Sequence, residues 1–214
     1  MTFPLLTTLG LLPILGALLT FAIGGRAGKS IAMVFALVTT AVGLAAVVLG
    51  GGWDLTEQVR WIKPIGAWYA LNLDGMGKVM VLLTIVLVPV ALLAEWRLGE
   101  DPDADAPARY QTSSFFGLAL LLEGFALFCF MSADALLFYI FFEATLIPMY
   151  FLIGGWGGVN RGPAALKFLL FGLAGGLVML FGIVGLYATS AAAGAPSLML
   201  SELGNLDFSG SVGR

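Results

Sequence analysis

The stretch Phe138-Tyr139-Ile140-Phe141-Phe142-Glu143-Ala144-Thr145-Leu146-Ile147-Pro148-Met149-Tyr150 sets one carboxylate in an otherwise apolar run. With its flanks, Ala133 to Ile153, the run is long enough to cross a bilayer as a helix. A charge at mid-membrane costs roughly 2.5–3.5 kcal/mol on insertion scales. A side chain such as Glu143 therefore faces protein or water, finds a partner, or carries a proton. Five positions later, Pro148 cannot donate a hydrogen bond to the carbonyl of Ala144. A kink is expected there, with a freed backbone acceptor within a turn of Glu143. A carboxyl group beside a broken hydrogen-bond ladder suits a proton relay.

The whole chain fits a membrane setting. Of its 214 residues 60% are hydrophobic and 11% charged, and the mean hydropathy is +1.01. A soluble domain needs more charge than this, so the fold expected is all-α, a polytopic transmembrane bundle without strands. The chain has no histidine, which argues against histidine-ligated haem, zinc and triad chemistry. Its single cysteine, Cys129, excludes an internal disulfide or an iron–sulfur cluster held by this stretch alone. No glycine-rich dinucleotide fingerprint follows a strand. Any redox chemistry belongs elsewhere.

Hydropathy predicts six spans, at about 4–23, 30–49, 75–94, 113–131, 133–153 and 164–188, with a Gly/Ser-rich tail over 191–214. The first has no basic region before it and reads as a retained helix. Arg26, Lys29, Arg97, Arg109 and Arg161 follow odd-numbered spans, against Arg60 and Lys63 in the long second connection. This bias puts the N-terminus outside and the odd connections in the cytoplasm.

Between the spans, 50–73 carries Trp53, Trp61, Trp68 and Tyr69 and reads as an interfacial loop. Asp74 is placed to cap the third helix, and Lys78 to pair with it one turn on. Glu100, Asp101, Asp103 and Asp105 form an acidic run, the usual mark of a solvated loop. Glu123 sits near the middle of the fourth span. The short turn after that span makes the fourth and fifth antiparallel, so Glu123 and Glu143 are expected at similar depth. Two such carboxylates close together out of water would repel and compete for ionisation. Tyr139 and Tyr150 fall on the Glu143 side of the helix. Gly154 to Gly158 form a connection, Pro163 suits the first turn of the sixth helix, and Lys167 lies one turn further in, able to snorkel. Gly172, Gly175 and Gly176 offer a face for close helix packing.

The run Phe142-Glu143-Ala144-Thr145-Leu146-Ile147-Pro148-Met149-Tyr150, then Gly154-Gly155-Trp156-Gly157, then Ala164-Ala165-Leu166-Lys167-Phe168, resembles the fifth and sixth helices of the antiporter-like subunits of respiratory complex I, the M subunit above all. The resemblance covers about Trp53 to Tyr187. It implies a proton-translocating membrane subunit of a type I NADH–quinone oxidoreductase in a bacterial cytoplasmic membrane. In that family the residues matching Glu143 and Glu123 act in proton translocation, the first centrally and the second as an auxiliary. A basic residue matching Lys167 is a candidate for cytoplasmic proton uptake. NADH, FMN, iron–sulfur clusters and quinone are expected in partner subunits, and other complex I membrane subunits as neighbours. Members of the family are longer and continue into a lysine-bearing broken helix, whose lysine pairs with the residue matching Glu143, so this sequence is expected to be an N-terminal portion. Two other readings stand beside this one: a subunit of a multi-subunit cation/proton antiporter, and a structural membrane fragment that transports nothing.

Overall fold

The computed structural model describes residues 4–49, 55–97, 112–192, 194 and 196–205. Among them, six helices are long and apolar enough to cross a membrane. They are α1 (Leu5–Ile23), α2 (Gly25–Leu49), α3 (Gly75–Ala94), α4 (Thr112–Met131), α5 (Ala135–Trp156) and α6 (Arg161–Ala192). A one-turn helix, α7 (Leu200–Leu203), follows. The acidic run at 100–105, Arg109, Trp53 and the tail beyond 205 lie outside the described residues.

The turn between α1 and α2 is a single residue, Gly24, with φ 68°, a backbone region that glycine enters without strain. As a result α2 begins at Gly25, five residues before the expected start. At the other end of the chain α6 extends past its expected limits on both sides. Gly154 and Gly155, expected in a connection, are the last turn of α5. Their amides donate within the helix, while last-turn carbonyls have no helical donor; Arg161 reaches that of Gly155 at 3.4 Å. The connection proper is confined to 157–160.

α4 is the hub, packing against α1, α2, α3 and α5, and α6 is laid against α5. The α1–α4 contact is close because glycines line it. A side chain on Gly124 would strike Ile14 and come within 3.0 Å of the Gly10 carbonyl, and one on Gly10 would meet the Phe128 ring at 2.6 Å. Small residues allow this approach in membranes, where van der Waals packing drives helix association. Three buried prolines lie inside the spanning helices, Pro13 of α1, Pro89 of α3 and Pro148 of α5. Pro89 cannot donate to the Ile85 carbonyl, and the Thr40 hydroxyl of α2 supplies that bond at 2.6 Å. α5 likewise runs on through Pro148 as one helix.

The stretch expected as an interfacial loop without strands is a hairpin. Strands β1 (Thr56–Ile62) and β2 (Ala67–Asn72) pair antiparallel, from Thr56↔Asn72 to Ile62↔Ala67. The 3₁₀ turn Lys63–Ile65 and Gly66, at φ 65°, reverse the chain. β-Branched and aromatic residues favour a pleated surface, and at the membrane edge pairing satisfies backbone groups that a loop would leave open. Arg60 lies over the Trp68 ring at 4.8 Å.

The hairpin is fastened to the bundle at two points. Glu57 of β1 accepts from the amides of Leu6 (2.6 Å) and Thr7 (3.0 Å), the open donors at the start of α1. It also accepts from the Thr7 hydroxyl; with that proton used, Tyr69 Oη donates to Thr7 Oγ1 at 2.8 Å. Burial, more than the nearby Glu57 carboxylate, raises the Tyr69 phenol above its ordinary value, against the Thr7 hydrogen bond. The second point is Asp134 in the α4–α5 turn. It is fully buried, caps α5 through the amides of Leu136 (2.9 Å) and Leu137 (3.1 Å), and accepts from Trp68 N of β2 at 3.0 Å. Backbone bonds from Ala133 to Ala70, from Ala135 to Leu198 and from Leu200 to Ala133 tie the hairpin and the segment before α7 to the same turn.

Candidate functional site

Glu143 sits midway along α5 and faces α6. The two helices meet through Ala165, Gly172 and Gly176 of α6: Leu146 fills the notch at Gly172 (2.9 Å to a side chain placed there), and the Glu143 carboxyl fills the one at Gly176. Glu143 Oε1 is shielded from solvent and has no hydrogen-bond partner among the described residues. The residue as a whole is only half-buried. Tyr139, one turn before it, packs against the apolar cluster that contains Ala135 of α5 and Ile183 of α6. Tyr150, two turns after it, stacks edge-on against Phe151.

Glu123 is 1% exposed, and neither of its oxygens has a hydrogen-bond partner among the described residues. It continues the α4 stripe of Phe116, Leu120 and Leu127, which shares its clusters with residues of α1, α2 and α3. The α4–α5 seam is formed instead by Phe125 and Phe128 of α4 against Phe141 of α5, the last two stacked at 4.5 Å. Glu143 is two residues from Phe141, and Glu123 two from Phe125, about 200° around each helix. The two carboxyl groups therefore point to opposite sides of an aromatic seam. Measured from the Phe128–Phe141 stack, Glu143 is level with Ala126, three residues or about 4.5 Å from the level of Glu123. The two carboxyl groups are at similar depth, as expected, and the condition for their mutual repulsion, a close approach, is not met.

Lys167 is exposed. Ala165 and Gly176 mark the side of α6 that meets α5, and Lys167, two residues beyond Ala165, points the other way. The structure does not bring it to Glu143. Asp74 caps α3, accepting from Gly77 N at 2.6 Å. That bond, not a pair with Lys78, is its use. Pro148 is buried in α5. Among the described residues no cluster of His, Cys, Asp or Glu is disposed to hold a metal.

Sequence reasoning missed three polar residues. Asp134 was placed inside a span, although an acidic residue just before a long apolar run is an N-cap signal. Glu57 acts across 50 residues of chain, which no local pattern reveals. Thr39 of α2, fully buried with an unpartnered hydroxyl, reads in sequence as ordinary filler in an apolar helix.

A transmembrane family described as NADH:quinone oxidoreductase/Mrp antiporter matches residues 132–211, the part that contains α5 and α6. Subunit M of the NADH-quinone oxidoreductase of Mycobacterium tuberculosis is 38% identical over 88% of this chain and 39% of its own length. The chain belongs to the M-subunit family of antiporter-like membrane proteins. A chain of Thermus thermophilus respiratory complex I superposes with a TM-score of 0.77 at 29% identity, over 92% of this chain and 38% of that one. A chain of the Mrp complex from Dietzia sp. DQ12-45-1b shares the fold, with a TM-score of 0.74 at 20% identity, over 95% of this chain and 21% of that one. The chain thus spans about two-fifths of the M subunit it matches. As in that family, it is an integral membrane bundle.

Proposed function

We propose that this chain is part of a proton-translocating membrane subunit of a type I NADH–quinone oxidoreductase, and that Glu143 is its central proton carrier. The observation that carries this reading is the placement of Glu143. Its carboxyl is lodged mid-helix in the Gly176 notch, with one oxygen shielded and unbonded, in a chain that belongs to this family. A carboxyl group so placed changes its proton occupancy when a nearby charge approaches or withdraws. One unit of pKa corresponds to about 1.4 kcal/mol, so a swing of a few units is enough to load and release one proton.

In this reading NADH oxidation, FMN, iron–sulfur clusters and quinone reduction belong to partner subunits, and other membrane subunits flank the bundle. Glu123 is an auxiliary carrier reached through water, since the aromatic seam separates it from Glu143. Lys167 faces away from α5, so a role in proton uptake would act on the outer side of α6, before the proton reaches Glu143. The end of the bundle with Arg26, Lys29, Arg97 and Arg161 lies in the cytoplasm of a bacterial cell, and the hairpin end outside, by the positive-inside rule.

The test is to tag the full-length protein in its host, isolate it in mild detergent, and assay NADH–quinone reduction. Co-purifying activity supports the assignment. Sodium-driven proton exchange without NADH oxidation would place the chain in an antiporter instead.

A further inference from the structure

Where α1 to α4 pack together, two of the apolar clusters among the described residues meet end to end. One contains Leu9, Ile85 and Leu127; the other contains Ala36, Leu92 and Leu120. α2 and α4 both pass through the boundary, side by side. Near one end, a side chain on Gly28 would lie 3.1 Å from Ser113, and Lys29 Nζ lies 5.7 Å from the Phe116 ring. From there the helices rise in step. Ala36 and Leu120 belong to the same cluster, while Gly43, against Ile85 and Leu9, stands one level higher, with Leu127. Between these levels stand Thr39, three after Ala36 and four before Gly43, and Glu123, three after Leu120 and four before Leu127; the neighbouring Thr40 is already bonded to the Ala36 and Ile85 carbonyls.

Together Thr39 and Glu123 hold three buried side-chain oxygens that lack a partner among the described residues: Thr39 Oγ1 and both carboxyl oxygens of Glu123. Other helix threonines bond a carbonyl one turn back, as Thr20 does to Gly16, Thr84 to Met80 and Thr189 to Gly185. Thr39 does not. The boundary also holds Pro13 of α1, which leaves the Leu9 carbonyl without its usual helical donor. A buried polar group left unsatisfied is costly, and several together at one level form a site that a water molecule can satisfy, typically with about three hydrogen bonds.

We propose that Thr39 and Glu123 together hold water in this boundary layer, making Thr39 a positioning residue for the Glu123 carboxyl. The bound water takes the Thr39 hydroxyl as one partner and the carboxyl as another. It gives Glu123 a proton-transfer contact on the α2 side, away from the aromatic seam. The site itself is independent of the transport reading; its use in proton transfer rests on that reading.

A cryo-EM map of the full-length complex, fine enough to show ordered water, tests the site directly. The expected map has water within about 3.2 Å of both Thr39 Oγ1 and a Glu123 oxygen. A layer without such water, or Thr39 bonded directly to Glu123, would overturn the proposal. Thr39→Val keeps the side-chain shape and should lose the water and slow NADH-driven proton uptake, while Thr39→Ser should keep both. Uptake in Thr39→Val equal to wild type would remove the residue from proton transfer. Failure of the transport reading shows separately, as normal pumping by Glu143→Gln.

Discussion

The carboxyl of Glu143 on α5 occupies the space that a side chain on Gly176 of α6 would fill. α6 is laid against the bundle through α5, so the fit of these two residues sets both the seat of α6 and the surroundings of the carboxyl.

Gly176→Ala should therefore disturb both. The added methyl meets only the far end of the Glu143 side chain. The loss in thermal unfolding of the full-length protein in detergent should therefore sit at the low end of the range for core overpacking, about 1–3 kcal/mol, with the carboxyl displaced. Because the clash is with one side chain, Glu143→Ala should absorb most of it. In a double-mutant cycle the two changes should be strongly non-additive. Additive effects would mean that α6 sits elsewhere.

Asp134 is the joint between the hairpin and the helices. Asp134→Ala removes an N-cap, worth about 0.5–2 kcal/mol, and leaves the part-buried Trp68 amide without its acceptor, a further loss of about 1 kcal/mol. A lower unfolding temperature is expected, with faster proteolysis at the hairpin turn Lys63–Ile65. Asp134→Asn should be milder, since an amide oxygen can still accept from Leu136 and Leu137.

The same residue predicts a pH dependence. Burial holds the Asp134 carboxyl above its ordinary value, although the amides of Trp68, Leu137 and Leu136 pull the other way. The folded state thus binds this proton more tightly than the unfolded chain. The stability it contributes is complete below the unfolded value, about 3.9, and is lost as pH rises through the folded value. Asp134→Asn should flatten the slope of stability against pH in that window, measured by denaturation at a series of pH values.

Much of this was legible beforehand. The spans follow from apolar length, and Asp74 from its position before a helix. The small face at Gly172 and Gly176 was visible as well, but not that Glu143 would fill it, because that depends on the phase of two helices against each other. The hairpin was missed because its glycines, proline and tryptophans also fit an interfacial loop, and strand pairing depends on residues on both sides of a turn. Glu123 and Glu143 were rightly placed at similar depth from the short α4–α5 turn. Their opposite facing comes from the phenylalanines that claim the seam, and a linear reading does not rank which apolar face packs first. Thr39 acquires meaning only when α2 is set beside α4.

The central claim is that Glu143 carries a proton, and Glu143→Gln in the full-length complex tests it most directly. NADH-driven proton uptake should be measured in inverted membrane vesicles, with assembly checked alongside. The account predicts an assembled complex with proton uptake and quinone-linked activity severely reduced, a milder loss in Glu143→Asp, and a smaller loss in Glu123→Gln. Normal pumping by assembled Glu143→Gln would contradict it.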